Sequence, residues 1–333
     1  MSYLLHDRTI TLIAAPMAGG PSTPQLAASL WTAGHLGFLA AGRASAEALR
    51  EDMRTAAKLA GGLNVGVNLF APHPRPRYFE TYSEEQCVAE LGSRWKPEVD
   101  YSFGWDEKFA AVLEARPLVV SSMFGCFSAA EVQQARERGI ETWVNVTSPD
   151  EARQAQLVGA DAVIVQAAAA GGHRGTWNQE DEPTTMSLPE LCSAVAAVCE
   201  LPLIAAGGLS TPEAVADALA LDGVVAVSCG TAFLLAEEAG TSESNRAILR
   251  EGQLRTAATR AFTGRVARGV ITGVNEHAAV TMPPVFPHLA PAPAGQKASR
   301  AWAYCLAGKG VNDCLEAPAA EIVQQLTSAA SPR

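Results

Sequence analysis

A chain of 333 residues, 48% hydrophobic, 18% charged and only 6% aromatic, describes a globular protein with a large core and excludes a disordered one. Its net charge of −10 argues against a general nucleic-acid binder, because neutralising phosphates requires a concentrated Lys/Arg surface. The seven cysteines (Cys87, Cys126, Cys192, Cys199, Cys229, Cys305, Cys314) are odd in number and never spaced as C-x-x-C, which disfavours a disulfide framework or a zinc site and suits reduced thiols in the cytoplasm.

From the N-terminus, MSYLLHDRTITLIAAPMAGG lacks the basic segment, sustained apolar stretch and cleavage site of a secretory signal, and no run is long enough to span a membrane. Short apolar, β-rich runs then recur with helical stretches between them: Thr9 to Ala15, Gly37 to Ala41, Asn64 to Phe70, Leu118 to Met123, Thr142 to Val146, Ala162 to Gln166, Leu203 to Ala206 and Val224 to Ser228. Helix starts follow them in phase. Ser22 precedes Gln25, Ser128 precedes Glu131, Ser148 precedes Glu151, Ser187 precedes Glu190 and Ser210 precedes Glu213, each at the spacing at which a hydroxyl and a side-chain oxygen satisfy two orphan amides. Eight such units predict a parallel (β/α)8 barrel with a smaller, mainly helical cap. A doubly wound open sheet is the alternative, weakened by the lack of G-x-G-x-x-G after the first strand.

Two regions break this rhythm. Ala71 to Pro117 is far longer than an ordinary βα connection and carries Pro72, Pro74, Pro76, Tyr78, Tyr82, Trp95, Tyr101 and Trp105, the look of a lid. From about Ala236 the tail gives helical patterns and a Pro-rich segment, Met282 to Ala294. The expected division is therefore a barrel from 1–70 and 118–235, with 71–117 and 236–333 forming a lid, or cap, and C-terminal helices over the barrel mouth.

In such a barrel the functional face lies at the C-terminal ends of the strands. Glycines gather there: Gly19-Gly20, Gly171-Gly172, Gly207-Gly208 and Gly230. Glycine lets backbone amides approach an anion, and the loops after strands seven and eight often hold phosphate, so Gly207, Gly208, Gly230 and Thr231 are candidate phosphate ligands; the bland alternative is tight turns. The segment from Gln166 to Gly175 leaves a strand, turns on glycines and presents His173-Arg174. His173 is the candidate proton acceptor, whereas Arg174 reads equally well as a structural ion-pair partner. His6, His35, His73, His277 and His288 sit in segments that suggest surface, helix or Pro-rich loop. No H-x-E, H-E-x-x-H or clustered carboxylates accompany His173, so no metal is expected.

Together, Ala15-Pro16-Met17-Ala18-Gly19-Gly20, Gln166 through Gly175, Leu203 through Gly208, Cys229-Gly230-Thr231, Arg260 through Gly269 and Ala307-Gly308-Lys309-Gly310 resemble, in order and spacing, the signatures of the nitronate monooxygenases. The resemblance spans nearly the whole chain, and Gly-Gly-His-Arg-Gly is its most specific part. It implies a flavin-dependent oxidoreductase holding FMN non-covalently, the phosphate at Gly172, Gly207, Gly208, Gly230 and Thr231, with Gly171 beside them. The ring system would lie near Pro16, Met17 and Ala18, with Asn68 and Gln166 against its polar edge and Ser121 and Ser122 as weaker candidates. For Asn68 the alternative is a turn-forming residue at a strand end. The implied reaction takes an electron from a nitronate to FMN, reoxidises the flavin with O2, and yields a carbonyl compound and nitrite, with His173 orienting the substrate or removing the α-proton of a neutral nitroalkane. The chain departs from the family pattern at Ala167 and Ala169, where a Gly and a Glu are usual, at Ser228 and Ala232 in place of a Gln and an Arg, and at Lys309 in place of Gln. Partners are a small-molecule substrate and O2; a monomer and a homo-oligomer both stay open. Alternatives are a flavin-dependent enoyl-ACP reductase, a natural-product-tailoring flavin oxidoreductase, and a phosphate-ligand-binding barrel without catalysis.

Overall fold

The structure is a computed structural model that describes residues 3–6, 10–273, 282–296 and 299–330; Thr9 and His277 lie outside them. Strands β1 (Leu12–Ala14), β2 (Leu36–Ala40), β3 (Gly66–Phe70), β4 (Val119–Met123), β5 (Glu141–Val146) and β6 (Ala162–Gln166) pair in parallel, each with the next. A two-residue strand β7 (Gly172–His173) stands apart, and β8 (Leu203–Ala206) and β9 (Val224–Cys229) complete the sheet. Pairing of Leu12 with Val227 and of Ala14 with Cys229 joins β9 to β1 and closes an eight-stranded all-parallel barrel. All eight predicted runs are barrel strands, two of them matched at both ends and six with an end shifted by one to three residues. No helix among the described residues is long and apolar enough to cross a membrane.

Alternation along each strand sorts the apolar residues into two cores. Leu12, Leu39, Val67, Val120, Val144, Val163, Val165 and Val227 face outward and pack under the helices. Ile13, Phe38, Val119, Trp143, Ile164, Ile204 and Ala226 face inward and fill the lower barrel, where Leu4, Leu5 and Ile10 join them. Phe38 and Trp143 meet with ring centroids 5.8 Å apart, and Trp143 is wholly buried; truncating it to Ala costs about 3–5 kcal/mol. One step further along the same strands, the inward positions change character to Asn68, Asn145, Gln166, Ala206 and Ser228, and the packed interior gives way to a cavity.

The helix starts are partly as expected. Ser128 with Glu131 and Ser187 with Glu190 make reciprocal caps, and Ser148 accepts from the amide of Glu151. Two expectations are corrected by one residue. Thr23 and Thr211 cap the helices Pro24–Thr32 and Pro212–Leu219. Their neighbours serve elsewhere: Ser22 Oγ accepts from Met17 N at 2.9 Å, and Ser210 Oγ donates to Asp313 Oδ2 at 2.8 Å. Neighbouring serines and threonines carry the same hydroxyl, so cap chemistry alone does not rank them.

In the long segment after β3, the helix Trp105–Ala115 is part of the barrel's outer layer, contributing Phe109 and Val112 to the outer core. The preceding stretch is tied to the C-terminal part of the chain. Arg94, buried, donates to the carbonyls of Ala290 at 2.8 Å, Ala261 at 2.5 Å and Phe262 at 3.0 Å. Where helical patterns were expected after Ala236, the helix Glu243–Arg250 is followed by antiparallel strands β10 (Thr256–Thr259) and β11 (Ala267–Val270). β11 pairs with β7, setting Ala267 opposite His173 and Arg268 opposite Gly172. The last helix, Ala319–Thr327, returns to the barrel, burying Ile322, Val323 and Leu326 in its outer core.

Candidate active site

The cavity at the C-terminal mouth of the barrel has a volume of about 390 Å³. Pro16, Met17, Ala18, Asn68, Gln166, Gly171, Gly172, His173, Gly207, Gly208, Gly230 and Thr231, the residues singled out from sequence, all line it. Among the described residues no Asp or Glu does, and Arg43, exposed on the loop after β2, is its one arginine. Ser121 and Ser122 do not reach it. Ser121 Oγ accepts from Asn68 Nδ2 at 2.9 Å, and Ser122 Oγ donates to the carbonyl of Gly125. The first bond fixes the Asn68 amide with its oxygen left for a ligand.

The loop from Gln166 to Gly175 is braced from within. Gln166 donates from Nε2 to the His173 carbonyl at 3.0 Å and accepts at Oε1 from Gly175 N at 2.8 Å. Its amide thus holds the loop's shape as well as lining the cavity. Arg174 is structural, but it is no ion-pair partner: its guanidinium donates to the carbonyls of Ala167 and Gln166, and no carboxylate lies within salt-bridge reach among the described residues. The absence of side chains at Gly171 is required, since a Cβ there would stand 2.5 Å from Gly308 N. That close approach lets the Ala307–Gly310 turn lie on the glycine loops, where Gly308 N donates to Thr231 Oγ1 at 2.9 Å.

Gly230 is different. Its φ of −106° is open to any residue, and a Cβ would meet only Ala15 and Met17 of the cavity wall, at 3.5 Å and beyond. Among the described residues no backbone acceptor takes the amides of Gly208, Gly230 or Thr231. A glycine-lined recess with free amides and no carboxylate fits a phosphate dianion.

His173 Nε2 lies 2.8 Å from Thr263 Oγ1, and the ring touches Phe124 and Phe286 with centroids 5.9 and 5.3 Å away. Burial, then the positive charges of Arg265 and Arg43 and the nearby His73, push its pKa down to about 3, so the ring is neutral at pH 7. Arg265 lies in the Arg260 to Gly269 stretch that carries the family resemblance, but the sequence assigns it no role. It is 1% exposed, stands over the Phe124 ring at 3.9 Å, and donates to the carbonyls of Arg174 and Thr176. Burial lowers its own pKa to about 9.

Two histidines of the Pro-rich loops, His73 and His288, are buried. His73 is 8% exposed, wedged against Phe103, Phe124 and Phe286 with both ring nitrogens lacking a partner, and burial followed by Arg265 pushes its pKa down to about 3. His288 is buried under Trp95, which stacks on it at 4.6 Å. Its Nδ1 faces the Lys96 carbonyl at 2.6 Å and its Nε2 the Tyr101 hydroxyl at 2.6 Å. Both sit in Pro-flanked segments whose neighbours arrive from distant parts of the chain, so local sequence gave no sign of their burial. Cys229 and Cys305 line the cavity, but burial pushes both thiols up to about 12, which removes them as thiolate nucleophiles at neutral pH.

Residues 5–328 match the family model described as nitronate monooxygenase. A nitronate monooxygenase of Paraburkholderia phytofirmans is 33% identical over 95% of this chain and 90% of its own length. One of Pseudomonas aeruginosa is 35% identical over 95% of this chain and 94% of its own. The crystal structure of nitroalkane oxidase from Streptomyces ansochromogenes superposes with a TM-score of 0.86 at 33% identity, covering 96% of this chain and 95% of that one.

Proposed function

Because the chain belongs to the nitronate monooxygenase family, we propose that its cavity holds FMN and oxidises a nitronate anion with O2. The protein is a flavin-dependent oxidoreductase acting on a small molecule. FMN bound there would supply the one-electron redox chemistry that links a nitronate to oxygen. Overall, two nitronate anions and one O2 give two carbonyl compounds and two nitrite ions.

The protein's own residues do the rest. Gly208, Gly230 and Thr231 would offer their amides to the phosphate, with Gly171, Gly172 and Gly207 forming the recess around it. Pro16, Met17 and Ala18 line the wall that would hold the ring system, and the oxygen of Asn68 would be free to meet a polar group of it. His173 orients the nitronate, and Arg43 at the mouth draws in an anion. The segment 72–104, tied through Arg94 to 261–262 and 290, serves as a lid that limits water. The observation that carries this reading is the carboxylate-free cavity with Arg43 at its mouth and a neutral His173 in its wall, the charge of the buried Arg265 reaching that ring from behind the lining, a setting that favours an anionic substrate.

The test is an anaerobic visible spectrum of the purified protein mixed with propionate 3-nitronate, before and after oxygen is admitted. Flavin bands that bleach or convert to a semiquinone spectrum and recover with oxygen are expected. Flavin bands that ignore the nitronate would refute the substrate, and no flavin after reconstitution with FMN would refute the cofactor.

A further inference from the structure

Thr263 Oγ1 is the one partner that the described residues give the His173 ring. Either atom can carry the proton between them, and the surroundings decide which does. Thr263 is 3% exposed, and its hydroxyl has no other partner among the described residues. Were Nε2 protonated, Thr263 would accept from it and its own buried O–H would point at no acceptor, an arrangement folded proteins avoid. With Nε2 bare, the hydroxyl donates to it and both groups are satisfied. The same reasoning works at His288, where the Lys96 carbonyl only accepts, so Nδ1 is protonated and Nε2 receives the Tyr101 hydroxyl.

The second nitrogen of His173, Nδ1, has no partner and is not among the buried, closed-off polar atoms, while the residue lines the cavity. It is the nitrogen left for substrate. We propose that Thr263 holds His173 as its Nδ1–H tautomer, so that the ring offers the substrate a hydrogen-bond donor instead of a lone pair and selects preformed nitronates over neutral nitroalkanes. This rests on the function proposed above. A nitronate carries its charge on two oxygens and accepts such a bond directly. A neutral nitroalkane must first lose its α-proton, and a protonated Nδ1 has no lone pair to take it.

The fold holds both ends of this bond. His173 is fixed by the pairing of β7 with β11, and Thr263 by the turn joining β10 to β11. At the next residue, Gly264, φ is +84° and a Cβ would stand 2.9 Å from Val285 N, so the turn packs too closely for a side chain. Thr263 is on this account a positioning residue that acts through His173.

The experiment uses FMN-loaded protein labelled with 15N-histidine, the His173 ring signals being assigned by their loss in His173→Asn. The wild type is expected to show Nδ1 protonated and Nε2 bare. Thr263→Ser keeps that pattern, and Thr263→Val moves it toward protonated Nε2. In parallel, kcat/KM is measured for propane-2-nitronate and for 2-nitropropane. The preference for the nitronate falls by about tenfold in Thr263→Val, the size of one hydrogen bond, and returns in Thr263→Ser. A protonated Nε2 in the wild type overturns the proposal whatever the variants do, as does a valine variant with unchanged tautomer and preference. A wild type that turns over neither compound overturns the proposed function instead, and the ring signals then judge the tautomer alone.

Discussion

Replacing Gly230 with Val tests the phosphate recess without disturbing the fold. The backbone there is at φ −106°, which valine adopts, and a Cβ would find only Ala15 Cβ at 3.5 Å and Met17 Cγ and Sδ at 3.8 Å, ordinary contact distances. The two added methyls therefore occupy the cavity and hold a phosphate away from the amides of Gly230 and Thr231. Hydrogen bonds to a charged group contribute about 1.5–3 kcal/mol each, so losing two costs about 3–6 kcal/mol, or roughly 10²–10⁴ in affinity. Quenching of FMN fluorescence on titrating apoprotein measures the affinity, and circular dichroism measures the melting temperature of the same apoprotein. The expected pair of results is a large rise in Kd with apoprotein Tm within about 2 °C of wild type. A valine variant that binds FMN as the wild type does would refute the placing of the phosphate at Gly230.

Other perturbations probe the rest of the site. His173→Leu removes a donor to an anion, and kcat/KM for a nitronate should fall by about 10- to 150-fold in steady-state nitrite release, with flavin content unchanged. Arg94→Ala orphans the carbonyls of Ala261, Phe262 and Ala290 and should lower stability by about 3 kcal/mol in urea unfolding, with proteolysis beginning in the 72–104 segment. His73→Phe exchanges a ring with two unpartnered nitrogens for an apolar one among Phe103, Phe124 and Phe286, and should stabilise by about 1–2 kcal/mol at pH 7. His73 has a folded pKa near 3, below its unfolded value of about 6.5, so the unfolded chain binds the extra proton and wild-type stability falls as pH drops from about 6.5 toward 3. The advantage of His73→Phe in thermal melts should therefore widen at pH 5, and an advantage that shrinks there would contradict the burial of a neutral His73.

What was legible in the sequence follows from where the information lies. A parallel barrel strand is buried on both faces, so Ala162–Gln166, apolar up to its final Gln166, and Leu203–Ala206 read as short apolar runs, and both match the observed strands to the residue. The glycine loops and His173 follow those strands directly, so the strand ends located the cavity's floor and back. Contacts made across distance were not legible. β7 is two residues long, and β11 contains a glycine and an arginine; neither has a strand's pattern apart from the other. Thr263 and Arg265 reach the site only because those strands meet. His73 looked like a loop residue since its aromatic neighbours Phe103, Phe124 and Phe286 are scattered along the chain.

The pairing of β7 with β11 also sets an order of events during biosynthesis. The barrel has all its strands once Cys229 has emerged, but His173 gains Thr263 and its strand partner, and the glycine loops gain Gly308, only from the last hundred or so residues. At about 5–20 residues per second the ribosome needs roughly 5–20 s to deliver them. A nascent chain in that interval has every barrel strand but lacks the partners of His173 and of the glycine loops, so the mouth of the site is completed after the barrel's strands are made.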